Sequence, residues 1–180
     1  MKLSQKKDVY AEAKKQMRLS ERIVAAIPGF RGYKEKELRR ESDKLIRNHL
    51  YMKLTELKDD LQIVFQKLSD RRYFDVLTEM DRLVARTDRI TEKVNHASYG
   101  YSGFFDIVKV EEENLDRMID FDNRLVDEAK SLAADIDAFK AEVTKGETRN
   151  LKERVLNIAS KIEDFEEIFE KRTEVILGVT

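Results

Sequence analysis

Two histidines, His49 and His96, and 36 carboxylates are the side chains best placed to bind a metal or move a proton. A carboxylate-bridged di-iron site in a helical protein uses Glu-x-x-His pairs, because ligands three apart project from one side of a helix. The residues three before the histidines are Ile46 and Lys93, so neither pair exists. A zinc site would need carboxylate ligands that no spacing singles out. His49 falls near the apolar side of its helix and His96 near a helix end, where packed or capping roles are expected. Without cysteine there is no disulfide, thiolate ligand or sulfur nucleophile. The stretch from Gly29 to Lys34 is not a phosphate loop, since it lacks a preceding strand and a Gly-Lys-Ser/Thr ending. No nucleophile elbow or dinucleotide fingerprint occurs elsewhere. No catalytic residue, cofactor or metal is therefore expected, and the chain is not expected to be an enzyme.

Binding chemistry has more to work with. Lys36, Arg40, Lys44 and Arg47 fall within a narrow arc at helical spacing, with Arg31, Lys34 and Arg39 close by. They could form an anion- or partner-binding strip that continues from the free amides at the helix start. The competing reading is a solvated face, because Glu35–Arg39 and Asp43–Arg47 have the i, i+4 arrangement of internal pairs. A second candidate is the aromatic run Tyr99, Tyr101, Phe104 and Phe105, interrupted by Gly100 and Gly103. These rings are expected to plug one end of a bundle, and such a loop could also dock a partner. The first helix carries lysines and arginines around an apolar stripe. That pattern suits a bundle helix, and an anionic membrane surface is the alternative.

Long helices must position these residues. Apolar side chains recur at steps of three and four, the seam of packed helices. Tyr10, Ala13, Met17, Val24 and Ile27 form one seam, and Leu50, Leu54, Leu57, Leu61, Val64 and Leu68 another. Tyr73, Leu77, Met80, Val84, Thr87, Thr91 and Val94 continue in a shifted phase. A fourth seam runs from Leu115 through Met118, Leu125, Ala129, Leu132, Ile136 and Phe139 to Val143, with Asp122 at one step. The last runs from Leu151 through Val155, Ile158, Ile162, Phe165 and Phe169 to Ile176, with Arg172 in line. Asp122 and Arg172 are read as a buried or interfacial pair that fixes register.

Breaks in the pattern separate the helices. Pro28-Gly29 ends the first, with proline presetting φ and glycine taking the positive φ of a type II turn. The phase slip over 68–74 predicts a tight turn, with Ser69 or Asp70 as N-cap, the alternative being one continuous helix over about 34–96. The region 98–106 reads as a loop, the acidic run Glu111–Glu113 as a helix start, and Gly146 as a helix end. Five helices follow, over about 3–27, 34–68, 72–97, 110–144 and 148–177, with successive helices as antiparallel neighbours. The fold class is all-α, an elongated antiparallel bundle in a single domain over 1–180.

Composition agrees, with one proline, no tryptophan and 39% charged residues. No apolar run is long enough to span a bilayer and the opening residues lack an apolar signal-peptide core, so a cytoplasmic location is expected. Charge is unevenly spread: residues 1–53 hold 15 Lys and Arg against 7 Asp and Glu, and 54–180 hold 20 against 29. The basic part can dock on the acidic part or attract an anionic partner.

The stretches IPGFRGYKEKELRRESDKLIR (27–47) and YGYSGFFD (99–106) resemble a set of bacterial and archaeal helical proteins. These share a Pro-Gly-aromatic-x-Gly-Tyr turn before a Lys/Arg/Glu-rich helix and carry no assigned activity. The resemblance covers the N-terminal third and the aromatic loop, and implies that the two act together. The expected function is an adaptor or assembly subunit working through protein–protein contacts, itself a homo-oligomer. The alternative is a peripheral binder of anionic membrane or nucleic acid through the basic N-terminal third.

Overall fold

Leu50, Leu54, Leu57, Leu61, Val64 and Leu68 make one side of a helix apolar, and all six are buried. They line α1, Lys36–Asp70. The computed structural model describes residues 21, 23–29, 36–97, 112–147 and 149–177. Among these are three further long helices: α2, Phe74–His96, α3, Glu112–Lys145, and α4, Leu151–Leu177. The end of the first predicted helix is also present, helical at 21 and 23–26. The protein is an all-α helical bundle.

The apolar seams of α1, α3 and α4 are buried at every described step. In α2 the expected steps Met80, Thr87, Thr91 and Val94 are buried, and the line departs from expectation at the others. Val76, Met80, Leu83, Ile90 and Val94 form the buried line, while Leu77 and Val84 are half-buried. The first-helix seam shifts as well: Ile23 and Ile27 are buried and Val24 is 52% exposed. In both places two apolar residues stand side by side, and a pattern of neighbours cannot say which one turns inward.

Gly29 takes φ +88, as the turn after Pro28 requires. A Cβ there would stand 3.7 Å from Leu45 Cδ1, so the corner lies against α1. Between α1 and α2 the tight turn is present, but its chemistry is a helix stop and not an N-cap. Tyr73 N donates to Leu68 O (3.0 Å) and Arg72 N to Ser69 O (2.9 Å), with Arg72 at φ 62. This is a Schellman closure with a left-handed arginine where glycine is usual. Neither Ser69 nor Asp70 caps α2; the cap position is Tyr73, with no side-chain cap bond. The end of α3 repeats the closure, Glu147 N to Glu142 O (2.9 Å) and Gly146 N to Val143 O (3.2 Å), now with glycine at φ 82.

Cross-helix contacts fix the topology. α1 packs on α2 and α3, and α4 packs on α3 and α2. Lys58 Nζ donates to Asp88 Oδ1 (2.9 Å), placing α1 and α2 antiparallel about the turn at 71–73. Lys140 pairs with Asp60, and Lys67 Nζ donates to Thr144 Oγ1 (2.6 Å), so α1 and α3 run in the same direction. Lys152–Glu79 (3.0 Å) and Arg86–Glu163 show that α2 and α4 are parallel too. Two antiparallel hairpins thus stand side by side. α2 and α3 occupy opposite corners, which corrects the expectation that successive helices are neighbours.

Candidate functional site

At the bundle end where α1 and α3 begin and α4 finishes, charged residues occupy core positions. Arg172 and Asp122 are fully buried, and Asp43 nearly so. Arg172 Nε donates to Asp122 Oδ1 (2.5 Å) and Arg172 Nη2 to Asp43 Oδ1 (2.8 Å). Arg47 Nε donates to the other oxygen of Asp43 (2.8 Å). The planar fork of one guanidinium therefore ties α4 to α3 and, across the diagonal, to α1. The expected Asp122–Arg172 pair is present. Asp43 was legible as well, since stepping back from Leu50 through Ile46 by four and three lands on it.

This arrangement dismantles part of the predicted basic strip. Arg47 is 8% exposed and committed to Asp43, so it does not share a surface with Lys44, which is exposed. The i, i+4 carboxylate, itself drawn into the core by Arg172, turns Arg47 inward. The side chains of Lys36 and Arg40, and the whole of Arg31, lie outside the described residues. So does the aromatic run Tyr99, Tyr101, Phe104 and Phe105. Among the residues proposed from sequence, the structure brings no group together at one surface.

A surface that the sequence reading passed over lies between α2 and α4. Arg82, Arg86, Arg89 and Lys93 follow one another at steps of four, three and four along α2. That is the spacing of an apolar seam, written in basic residues. Facing them, α4 carries Glu163, Glu166 and Glu170. Arg86 pairs with Glu163, and Lys93 with Glu166 (3.3 Å) and Glu170. Burial opposes the charge on Lys93, yet the hydrogen bonds it donates to Glu170 and Glu166 outweigh that and hold the ammonium above its ordinary range. Arg82 and Arg89 have no ion-pair partner among the described residues. Between the walls runs a groove floored by Leu83, Ala85, Val155, Leu156 and Ala159. Leu156 is 52% exposed there. The small side chains Ala85 and Ala159 leave room for another element to come close.

His96 ends α2 and pairs with Glu92 (3.1 Å). His49 sits half-buried on α1, and burial, then Lys53 and Lys130, lower its imidazole pKa. Both occupy the positions expected of them, one near a packed side and one at a helix end. No described helix is long and apolar enough to cross a membrane.

Compared with family models, curated proteins and solved structures, the chain has no match.

Proposed function

We propose that this bundle is a non-enzymatic, cytoplasmic adaptor or assembly subunit whose docking face is the groove between α2 and α4. One observation carries the reading: a half-exposed leucine shares a groove with two arginines that have no ion-pair partner among the described residues, in the least closely packed seam of the bundle. An apolar centre rimmed by charge is the anatomy of a protein interface, where burial supplies affinity and the rim supplies selection. The rival reading, an anionic-surface binder using the basic N-terminal third, loses weight because Arg47 points into the core.

Affinity capture from the native host at moderate salt tests the reading, with wild type set against Leu156→Glu. A protein set retained by the wild type and lost by the variant, with helicity unchanged, supports it. Retention of the same set by both proteins, or recovery of nucleic acid or lipid in place of protein, overturns it.

A further inference from the structure

The charges that line the α2–α4 groove do not balance. Arg82, Arg86 and Arg89 stand on α2, and the lining carboxylates are Glu79 and Glu163. Both carboxylates are used within the chain: Glu79 pairs with Lys152 (3.0 Å) and Glu163 with Arg86. Further along α4, Glu166 and Glu170 are taken by Lys93. The groove leaves open Arg82 and Arg89, both exposed and without an ion-pair partner among the described residues. A basic segment laid here would find no uncommitted carboxylate on the lining and would face two guanidiniums. An acidic segment would meet two cations.

The same lining is apolar between those cations. Arg82, Ala85 and Arg89 follow one another at steps of three and four, and all three are exposed. One strip of α2 therefore carries a cation, a small side chain and a second cation over two helical turns, roughly 10 Å. The other wall, α4, presents the exposed Leu156 and, one turn on, Ala159. Leu83 and Val155 lie buried beneath. An incoming apolar side chain gains burial on this floor, whereas a nucleic-acid backbone, held through its phosphates, gains nothing from it.

We infer that the groove takes an acidic amphipathic helix of a partner protein. Its apolar side lies against Ala85, Leu156 and Ala159, and its carboxylates, two turns apart, meet Arg82 and Arg89. This rests on the docking reading above and adds the partner's chemistry to it. A helix laid between two parallel helices buries its apolar side in the groove they form. Alanine on each wall lets it come close. The guanidinium fork holds a carboxylate through two hydrogen bonds, so the two arginines select for charge and fix the register.

The test starts from the full-length chain with the photo-cross-linker p-benzoylphenylalanine in place of Leu156. It is irradiated in the native host and the cross-linked segment is read by mass spectrometry. The expected segment belongs to another protein, has an excess of Asp and Glu, and repeats apolar residues at steps of three and four. That partner, purified, is then titrated with wild type and with Arg82→Glu/Arg89→Glu, after circular dichroism confirms that the variant is folded. Charge reversal should weaken binding at least about tenfold, and added salt should weaken wild-type binding. Equal affinity of the two proteins, or wild-type binding indifferent to salt, overturns the proposal. So does a cross-link to nucleic acid or to a second copy of this chain. A neutral or basic segment of another protein would remove the acidic partner and leave the docking reading standing, whereas no cross-link at all would remove both.

Discussion

α1 and α3 run side by side in one direction, and so do α2 and α4, yet the two parallel seams differ. The α1–α3 seam is closed. Lys140 reaches Asp60, Lys67 reaches Thr144, and Arg71 extends from the α1–α2 turn to the last carbonyls of α3. Those carbonyls belong to Val143 and Thr144, the second at 3.0 Å from Arg71 Nη2. A cation at a helix C-terminus satisfies orphan acceptors and meets the negative end of the dipole. The α2–α4 seam is less closely packed, and surface ion pairs bridge it. Such pairs contribute little to stability. Closure by carbonyl capping and buried charge is a matter of folding, whereas a seam bridged only at its rim keeps an apolar floor within reach of a partner.

The largest effect should come from the residue that holds α4 to the closed side. Arg172→Met leaves Asp43 and Asp122 buried without their shared cation, and should lower stability by about 3–5 kcal/mol in chemical denaturation. A loss below about 1 kcal/mol would mean that these carboxylates have other sufficient partners.

Arg71→Ala uncaps α3 at the opposite end and should cost about 1–2 kcal/mol, read by the same method. The two seams would look alike if this change were silent. Arg72→Gly acts in the other direction. Arg72 holds the left-handed position that Gly146 fills at the end of α3. Relief of that backbone cost should raise stability by about 1 kcal/mol, less the extra freedom glycine gives the unfolded chain.

Smallest is a pH effect from His49, which faces Lys130 across the closed seam. Its folded-state pKa lies below the ordinary value, so the unfolded chain binds the proton more readily. Stability is therefore full above about pH 6.5, the unperturbed imidazole value, and declines as pH falls through the lowered folded-state pKa. His49→Gln should remove that part of the slope in melts taken across the range.

Much of this architecture was legible as sequence. Apolar residues at steps of three and four marked α1, α3 and α4, and Gly29 and Gly146 marked corners, because a buried stripe and a left-handed turn leave few residue choices. The Asp122–Arg172 pair showed as polar steps in apolar lines. The seam of α2 showed at Met80, Thr87, Thr91 and Val94 but not in its first half, since Val76–Leu77 and Leu83–Val84 are apolar doublets. Arg72 was hidden for a different reason: an arginine in a glycine position leaves no compositional mark. The order of helices around the bundle did not show, because periodicity within one helix says which side is buried and not which helix covers it. The groove was written in Arg82, Arg86, Arg89 and Lys93, but charge at helical spacing usually marks a solvated face. Only the apolar floor beside it distinguishes this one.

A chain without cysteine permits a direct measurement of whether that groove is occupied in the cell. Leu156→Cys and Met52→Cys introduce single thiols at positions 52% and 57% exposed, the first in the α2–α4 groove and the second on α1. Maleimide labelling is followed in the dilute purified protein and in intact host cells. In dilute solution the two thiols should react at similar rates. In cells the α4 thiol should be protected relative to the α1 thiol by about tenfold or more, as a site buried against a partner must be. Equal reactivity of the two thiols in cells would contradict the account.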